Sequence, residues 1–180
     1  MWKAIVAILA VFAATNVWAE SYRKTYTKGS WTLYSVDRME MRVPSGRYEQ
    51  IENVCLAAFT SASASLKLAI ASDATVRRHG SLRDFIWVQV TSEKWNFLKR
   101  TASAGLSVEI SSYTERRAQY DGLAISFGVP DFKKNFGVFL MFAGVRNTID
   151  VLDNRGRVIA KFPANGFAEV RDKLFSCAGV

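Results

Sequence analysis

The chain is a succession of short apolar segments, some of which alternate with period two, with many of the gaps between them short, and this limits its fold more than any other feature. Successive side chains of a strand point to opposite faces, so such alternation marks half-buried strands. Residues 31–36 (WTLYSV) show it first. Residues 37–48 follow, with Pro44, Ser45 and Gly46 as a turn signal. Residues 51–59 predict a second strand with Ile51, Asn53, Cys55, Ala57 and Phe59 on one face, although the Ala and Leu content also suits a helix. Residues 66–71 (LKLAIA) and 85–90 (FIWVQV) predict a third and fourth. Between them, residues 72–83 (SDATVRRHGSLR) read as a long polar and basic loop. The stretch SEKWNFLKR fits a helical turn or a strand edge equally. Leu106, Val108 and Ile110 alternate with Ser107, Glu109 and Ser111, and residues 122–128 add another strand. Residues 148–152 and 158–162 flank Asp153-Asn154-Arg155-Gly156, a hairpin signal.

Two segments change period. Phe132, Phe136, Phe139 and Leu140 sit at helical spacing, with Pro130 at a first helical position, Asp131 in the first turn and Gly144 as a stop. A buried strand over 136–142 is the rival reading. Phe167, Val170, Leu174 and Cys177 line one helical face, with Asn165 as cap and Gly179 after the end, so Cys177 is expected to face the core. The expected fold is mainly β: an antiparallel β-sandwich or barrel-like domain with a short helix near 130–142 and a C-terminal helix. Among 180 residues, 12 Phe, 6 Tyr and 5 Trp can fill such a core, which excludes a disordered chain.

The N-terminus reads as an export signal. Lys3 precedes an apolar run over 4–14, and Val17 and Ala19 place small residues where a signal peptidase reads. The run is short for a membrane span, and the rival readings are an uncleaved anchor or a buried helix. The expected organisation is a signal peptide over 1–19 cleaved near Ala19, a mobile leader over 20–30 (ESYRKTYTKGS), and a single β-rich domain over 31–180. No Cys follows the apolar run to accept a lipid, and the simple signal looks bacterial, hence periplasmic or secreted. The mature chain carries no transmembrane span. In an oxidising compartment Cys55 and Cys177 are expected to pair as a structural disulfide; free thiols or a reactive pair are the alternatives.

Motifs for chemistry are sparse. His79 is the only histidine and sits in a polar loop, where a solvated role is the plain reading. Asp150 and Asp153 flank a turn and suit local hydrogen bonding better than catalysis. Phosphate-cradling glycine patterns, metalloprotease helices and calcium loops are absent, so no catalytic residue, cofactor or metal is expected. The basic residues are more informative, since the formal net charge is +8. Arg77, Arg78, Arg83, Arg116, Arg117, Lys133 and Lys134 are the candidate contacts for an acidic partner, with plain solubility as the alternative. In an exported chain that partner would be anionic lipid, lipopolysaccharide, teichoic acid or an acidic protein, and nucleic acid is unlikely. Tyr22 to Lys28 interleave aromatics with cations, as a tail, an edge strand or a contact site. Trp87 and Trp95 read as core. The apolar run 136–142 reads as buried, with a partner groove or lipid-facing patch as the alternative.

The signal segment, Trp31 opening the first strand, Cys55 in the second, and the closing stretch FPANGF (162–167) followed by AEVRDKLFSC (168–177) together resemble small exported proteins of the invasion-associated locus B type. The resemblance spans most of residues 31–178. A single cysteine pair and the basic loop at 72–83 depart from it. It implies an all-β exported domain with host- or envelope-related roles and supplies no catalytic residues. The functional expectation is a non-enzymatic exported domain that binds a cell-envelope component or a protein partner. The alternatives are a small envelope hydrolase or enzyme inhibitor, and an assembly subunit.

Overall fold

A computed structural model describes residues 21–108, 111–135 and 148–179. They form ten strands, β1 Tyr22–Lys28, β2 Trp31–Arg42, β3 Tyr48–Thr60, β4 Ala64–Ala71, β5 Ile86–Ser92, β6 Phe97–Val108, β7 Ser111–Gly122, β8 Ala124–Val129, β9 Thr148–Leu152 and β10 Val158–Pro163. Three helices accompany them, α1 Asp73–Arg78, α2 Phe132–Asn135 and α3 Phe167–Ala178, with a 3-10 turn at Gly80–Leu82. The expected signal peptide, Ile110 and most of the 130–142 helix lie outside the described residues.

All ten strands share one antiparallel sheet, in the order β1-β2-β3-β4-β5-β8-β7-β6-β9-β10. The mainly-β class and the two helices therefore agree with the sequence. The finer expectation, a sandwich or barrel-like domain, is not shown, because the described strands form one open sheet. Its inner face is apolar from strand to strand: Leu33, Ala57, Leu68, Val88, Phe127, Tyr120, Leu106 and Val151 are buried in one cluster with Phe167, Val170 and Leu174 of α3. Burying each large apolar side chain there contributes about 1.5–3 kcal/mol. The C-terminal segment bridges the first and last strands. Trp31 donates its indole N–H to the Pro163 carbonyl at 2.8 Å, Ser30 N–H donates to the Asn165 carbonyl at 3.2 Å, and the Trp31 and Phe167 rings lie 4.6 Å apart. Gly29 and Gly166, both at positive φ, let the two turns meet; a Cβ on Gly166 would overlap the Lys28 carbonyl.

The outer face is half covered. The β2–β3 hairpin bends where Asn53 takes φ 52. Beyond the bend, Met39, Met41, Val43 and Ile51 pack with Ala69, Ala71, Leu82, Phe85 and Trp87 in a second core. The hairpin therefore folds back over β4 and β5, and the Tyr48 hydroxyl reaches the Ser126 hydroxyl of β8 at 3.3 Å. The bend frees two carbonyls that the sheet no longer pairs, and both find donors in α1 and its flank. The Thr75 hydroxyl donates to the Glu52 carbonyl at 2.7 Å, and Ser72 N–H donates to the Asn53 carbonyl at 2.9 Å.

Several local expectations are corrected. Residues 22–28 of the expected leader form β1, paired along β2 from Tyr22↔Val36 to Lys28↔Trp31. Both faces of this edge strand are largely exposed, so its alternation of Tyr and Thr with cations carries no hydrophobic signal. The 72–83 loop holds α1 and the 3-10 turn, each too short to show a period. Residues 51–59 are a strand, but Ile51 joins the outer core and Asn53 is exposed, because the left-handed residue rotates the strand. Pro130 precedes α2 rather than opening it, with Asp131 at φ 47 between them. The cap position of α3 is Gly166 at φ 84, not Asn165.

Candidate functional site

The cysteines pair as expected. Cys55 and Cys177 are disulfide-bonded with Cα atoms 6.2 Å apart, inside the usual range. The bridge ties β3 to the last turn of α3. Cys55 is buried, but Cys177 is exposed, so the expectation that it faces the core is corrected. Cys177 sits about 60° from the centre of the buried stripe of α3, at 100° per residue, and Ala178 takes the inward position instead.

The basic candidates gather largely at one end of the sheet, where β4 and β8 finish and β5 begins. α1 carries Arg77 and Arg78, and the following turn carries Arg83. α2 carries Lys133 and Lys134, and Asp84 joins the two segments. The Phe132 N–H donates to the Asp84 carbonyl at 2.8 Å, and Lys133 Nζ lies 3.3 Å from Asp84 Oδ1. The sequence reading missed both Asp84 and Arg42, an isolated cation before the Pro44-Ser45-Gly46 turn. Folding back the hairpin sets Arg42 against β7, where it donates through Nη1 to the Arg117 carbonyl at 3.4 Å. Arg42 and Arg117 then line a cleft of about 260 Å3 with Phe85, Glu115, Gly128 and Pro130. Arg116 adjoins Arg117 in β7 and is exposed.

The charges at this end divide into two sets. Arg77 pairs with Asp73, Arg78 with Glu52 at 3.6 Å, and Lys133 with Asp84. These exposed pairs are worth little each. Glu115 accepts from the Arg117 backbone N–H at 2.8 Å and from the Tyr113 hydroxyl at 3.1 Å. Burial, then the Glu115 charge, pushes the Tyr113 phenol well above its ordinary value, so it stays a neutral donor. Arg42, Arg83, Arg116, Arg117 and Lys134 have no carboxylate partner among the described residues, and Glu115 and Asp131 are acids beside them that make no ion pair. The end is thus net positive, with guanidinium and ammonium groups whose charge no ion pair offsets among the described residues.

The remaining titratable groups are engaged locally or stand apart. Asp153 accepts from the Arg155 and Arg157 N–H groups at 2.8 and 3.0 Å and from the Arg157 guanidinium at 2.7 Å. Burial alone would raise this carboxyl, but those donors hold it below its ordinary value. Asp150 accepts from Thr148 at 2.7 Å and Lys161 at 3.1 Å. Both aspartates serve the β9–β10 hairpin, as their turn positions suggest. His79 is exposed between α1 and the 3-10 turn. Trp87 is buried in the outer core, and Trp95 is half-buried against Phe97 with centroids 5.2 Å apart. Among the described residues no three His, Cys, Asp or Glu side chains converge to hold a metal, and no helix is long and apolar enough to cross a membrane. No protein-family model, curated protein or solved structure matches the chain.

Proposed function

We propose that this chain is a non-enzymatic exported domain that binds an acidic surface of the cell envelope through its basic end. The carrying observation is the set of cations without an ion pair among the described residues, Arg42, Arg83, Arg116, Arg117 and Lys134, that the folded-back hairpin, two connecting segments and β7 contribute at that end. Uncompensated charge on a rigid scaffold raises the local potential and draws an anionic surface toward it. Export itself rests on Lys3, the apolar run over 4–14, and the Val17 and Ala19 cleavage pattern. Kinship with the invasion-associated locus B type belongs to the same proposal. What supports it is that its marker residues pack together, with Trp31 bonded to Pro163 and its ring tilted against that of Phe167, and Cys55 bonded to Cys177.

The test is co-sedimentation of the purified protein with phosphatidylglycerol vesicles and with phosphatidylcholine vesicles, at low and high salt. Binding only to the anionic vesicles, lost at high salt, is the expected result. Equal binding to both lipids, or none to either, would overturn the reading.

A further inference from the structure

The outer face is open at the other end of the sheet, beyond the reach of the folded-back hairpin. A groove of about 430 Å3 lies there. That size suits a small ligand. Leu56 and Ala58 of β3 are among its lining residues. Tyr22 of β1 and Tyr34 of β2 line it too, their rings edge to face with centroids 6.0 Å apart. Ser65 and Thr91 add hydroxyls that bond each other at 2.7 Å. Lys67 of β4 also lines it, half-buried, and it has no carboxylate partner among the described residues. Glu93 stands exposed at one margin.

These groups select a ligand chemistry. Lys67 faces the groove as a cation with no ion pair among the described residues, so the group that complements it there is anionic. Tyrosines offer an apolar body with a polar tip, which suits a ring carrying hydroxyls better than an aliphatic chain. Hydroxyls and a rim carboxylate can accept and donate to several ligand hydroxyls at once. Under the hairpin, by contrast, the same face of the sheet carries Ala69, Ala71 and Trp87, which are buried in the outer core.

We propose that this groove binds an acidic saccharide, with Lys67 holding the sugar carboxylate, Tyr22 and Tyr34 covering the ring, and Glu93 accepting from sugar hydroxyls. The site is separate from the basic end and does not depend on it.

The probe is a disaccharide containing glucuronic acid, titrated into the protein while backbone amide resonances are followed by NMR. Saturable shifts are expected around residues 56–67 and 91–93. Cellobiose, which lacks the carboxylate, and the Lys67→Gln variant are each expected to weaken binding about tenfold or more, as for loss of a charge-assisted hydrogen bond. Tyr34→Ala is expected to weaken it too. Replacing Arg83, Arg116 and Lys134 by Glu is expected to leave it unchanged, which separates this site from the basic end. The absence of saturable shifts up to about 10 mM, a very weak affinity, would overturn the proposal. So would shifts confined to the basic end, or a Lys67→Gln variant that binds as tightly as the wild type.

Discussion

Removing the disulfide should cost this domain a large share of its stability while leaving its fold in place. The bridge joins residues 122 apart, and the chain-entropy treatment of such a loop gives about 5 kcal/mol of stabilisation, exerted through the unfolded chain. A domain of this size has about 5–15 kcal/mol in total. The helix that carries Cys177 keeps its other anchors, since Phe167, Val170, Leu174 and Ala178 are buried and Trp31 still holds the Pro163 carbonyl. The suitable variant is Cys55→Ala with Cys177→Ala, because a serine at the buried Cys55 would add an unpaired hydroxyl and confuse the comparison. Urea unfolding followed by tryptophan fluorescence gives the midpoint and its slope. The variant should keep the native spectrum, unfold at lower urea, and show a steeper slope because its unfolded chain is less constrained. Equal midpoints for the oxidised protein and the variant would refute the loop-entropy reasoning. Loss of the native spectrum would show that the bridge, not the apolar stripe, docks α3.

Two further perturbations test the fold where the sequence is least explicit. Gly166→Ala puts a side chain at φ 84 against the Lys28 carbonyl, and should cost at least about 2 kcal/mol in urea unfolding, the left-handed penalty plus the overlap; a change below about 0.5 kcal/mol, the size of an ordinary surface effect, would contradict that contact. The Asp153 carboxyl is held below its ordinary value of 3.8 in the folded chain, so its bonds stabilise above that value and are lost as pH falls through the folded value. The wild type should therefore lose more thermal stability between about pH 5 and pH 2 than Asp153→Asn does, and parallel melting curves would contradict it.

The strands whose inner faces are apolar were legible as alternation, because burial on one side of a sheet writes period two into the sequence. That holds for the start of β2 and for β9, whereas β4 and β5 were legible as short apolar runs because they bury residues on both faces where the hairpin covers them. β7 escaped because SSYTERRAQYDG buries only Ala118 and Tyr120 fully, and β1 because an exposed edge needs no apolar face. The bend at Asn53 is marked only by a polar interruption, Asp37-Arg38 opposite Glu52-Asn53, and such an interruption does not say that the side chains beyond it enter a second core. That bend also hid the site. The pairs Arg77-Arg78, Arg116-Arg117 and Lys133-Lys134 are visible as dipeptides, but their approach depends on Asp84 joining two distant segments and on a hairpin that carries Arg42 across the sheet. The groove was invisible for a similar reason, because Tyr22, Tyr34 and Lys67 come from three strands and only the sheet order places them side by side.

The most direct test of the acidic-surface account is the salt dependence of affinity for phosphatidylglycerol vesicles, compared between the wild type and a variant with Arg83, Arg116 and Lys134 replaced by Glu. These residues are exposed and make no ion pair among the described residues, so the substitutions leave the cores and the disulfide untouched. Each basic residue near an anionic surface is worth about 1 kcal/mol, so loss of three should weaken binding by at least about two orders of magnitude, with further repulsion from the three added carboxylates, and flatten its salt dependence. A variant that binds with wild-type affinity and the same salt dependence would contradict the account.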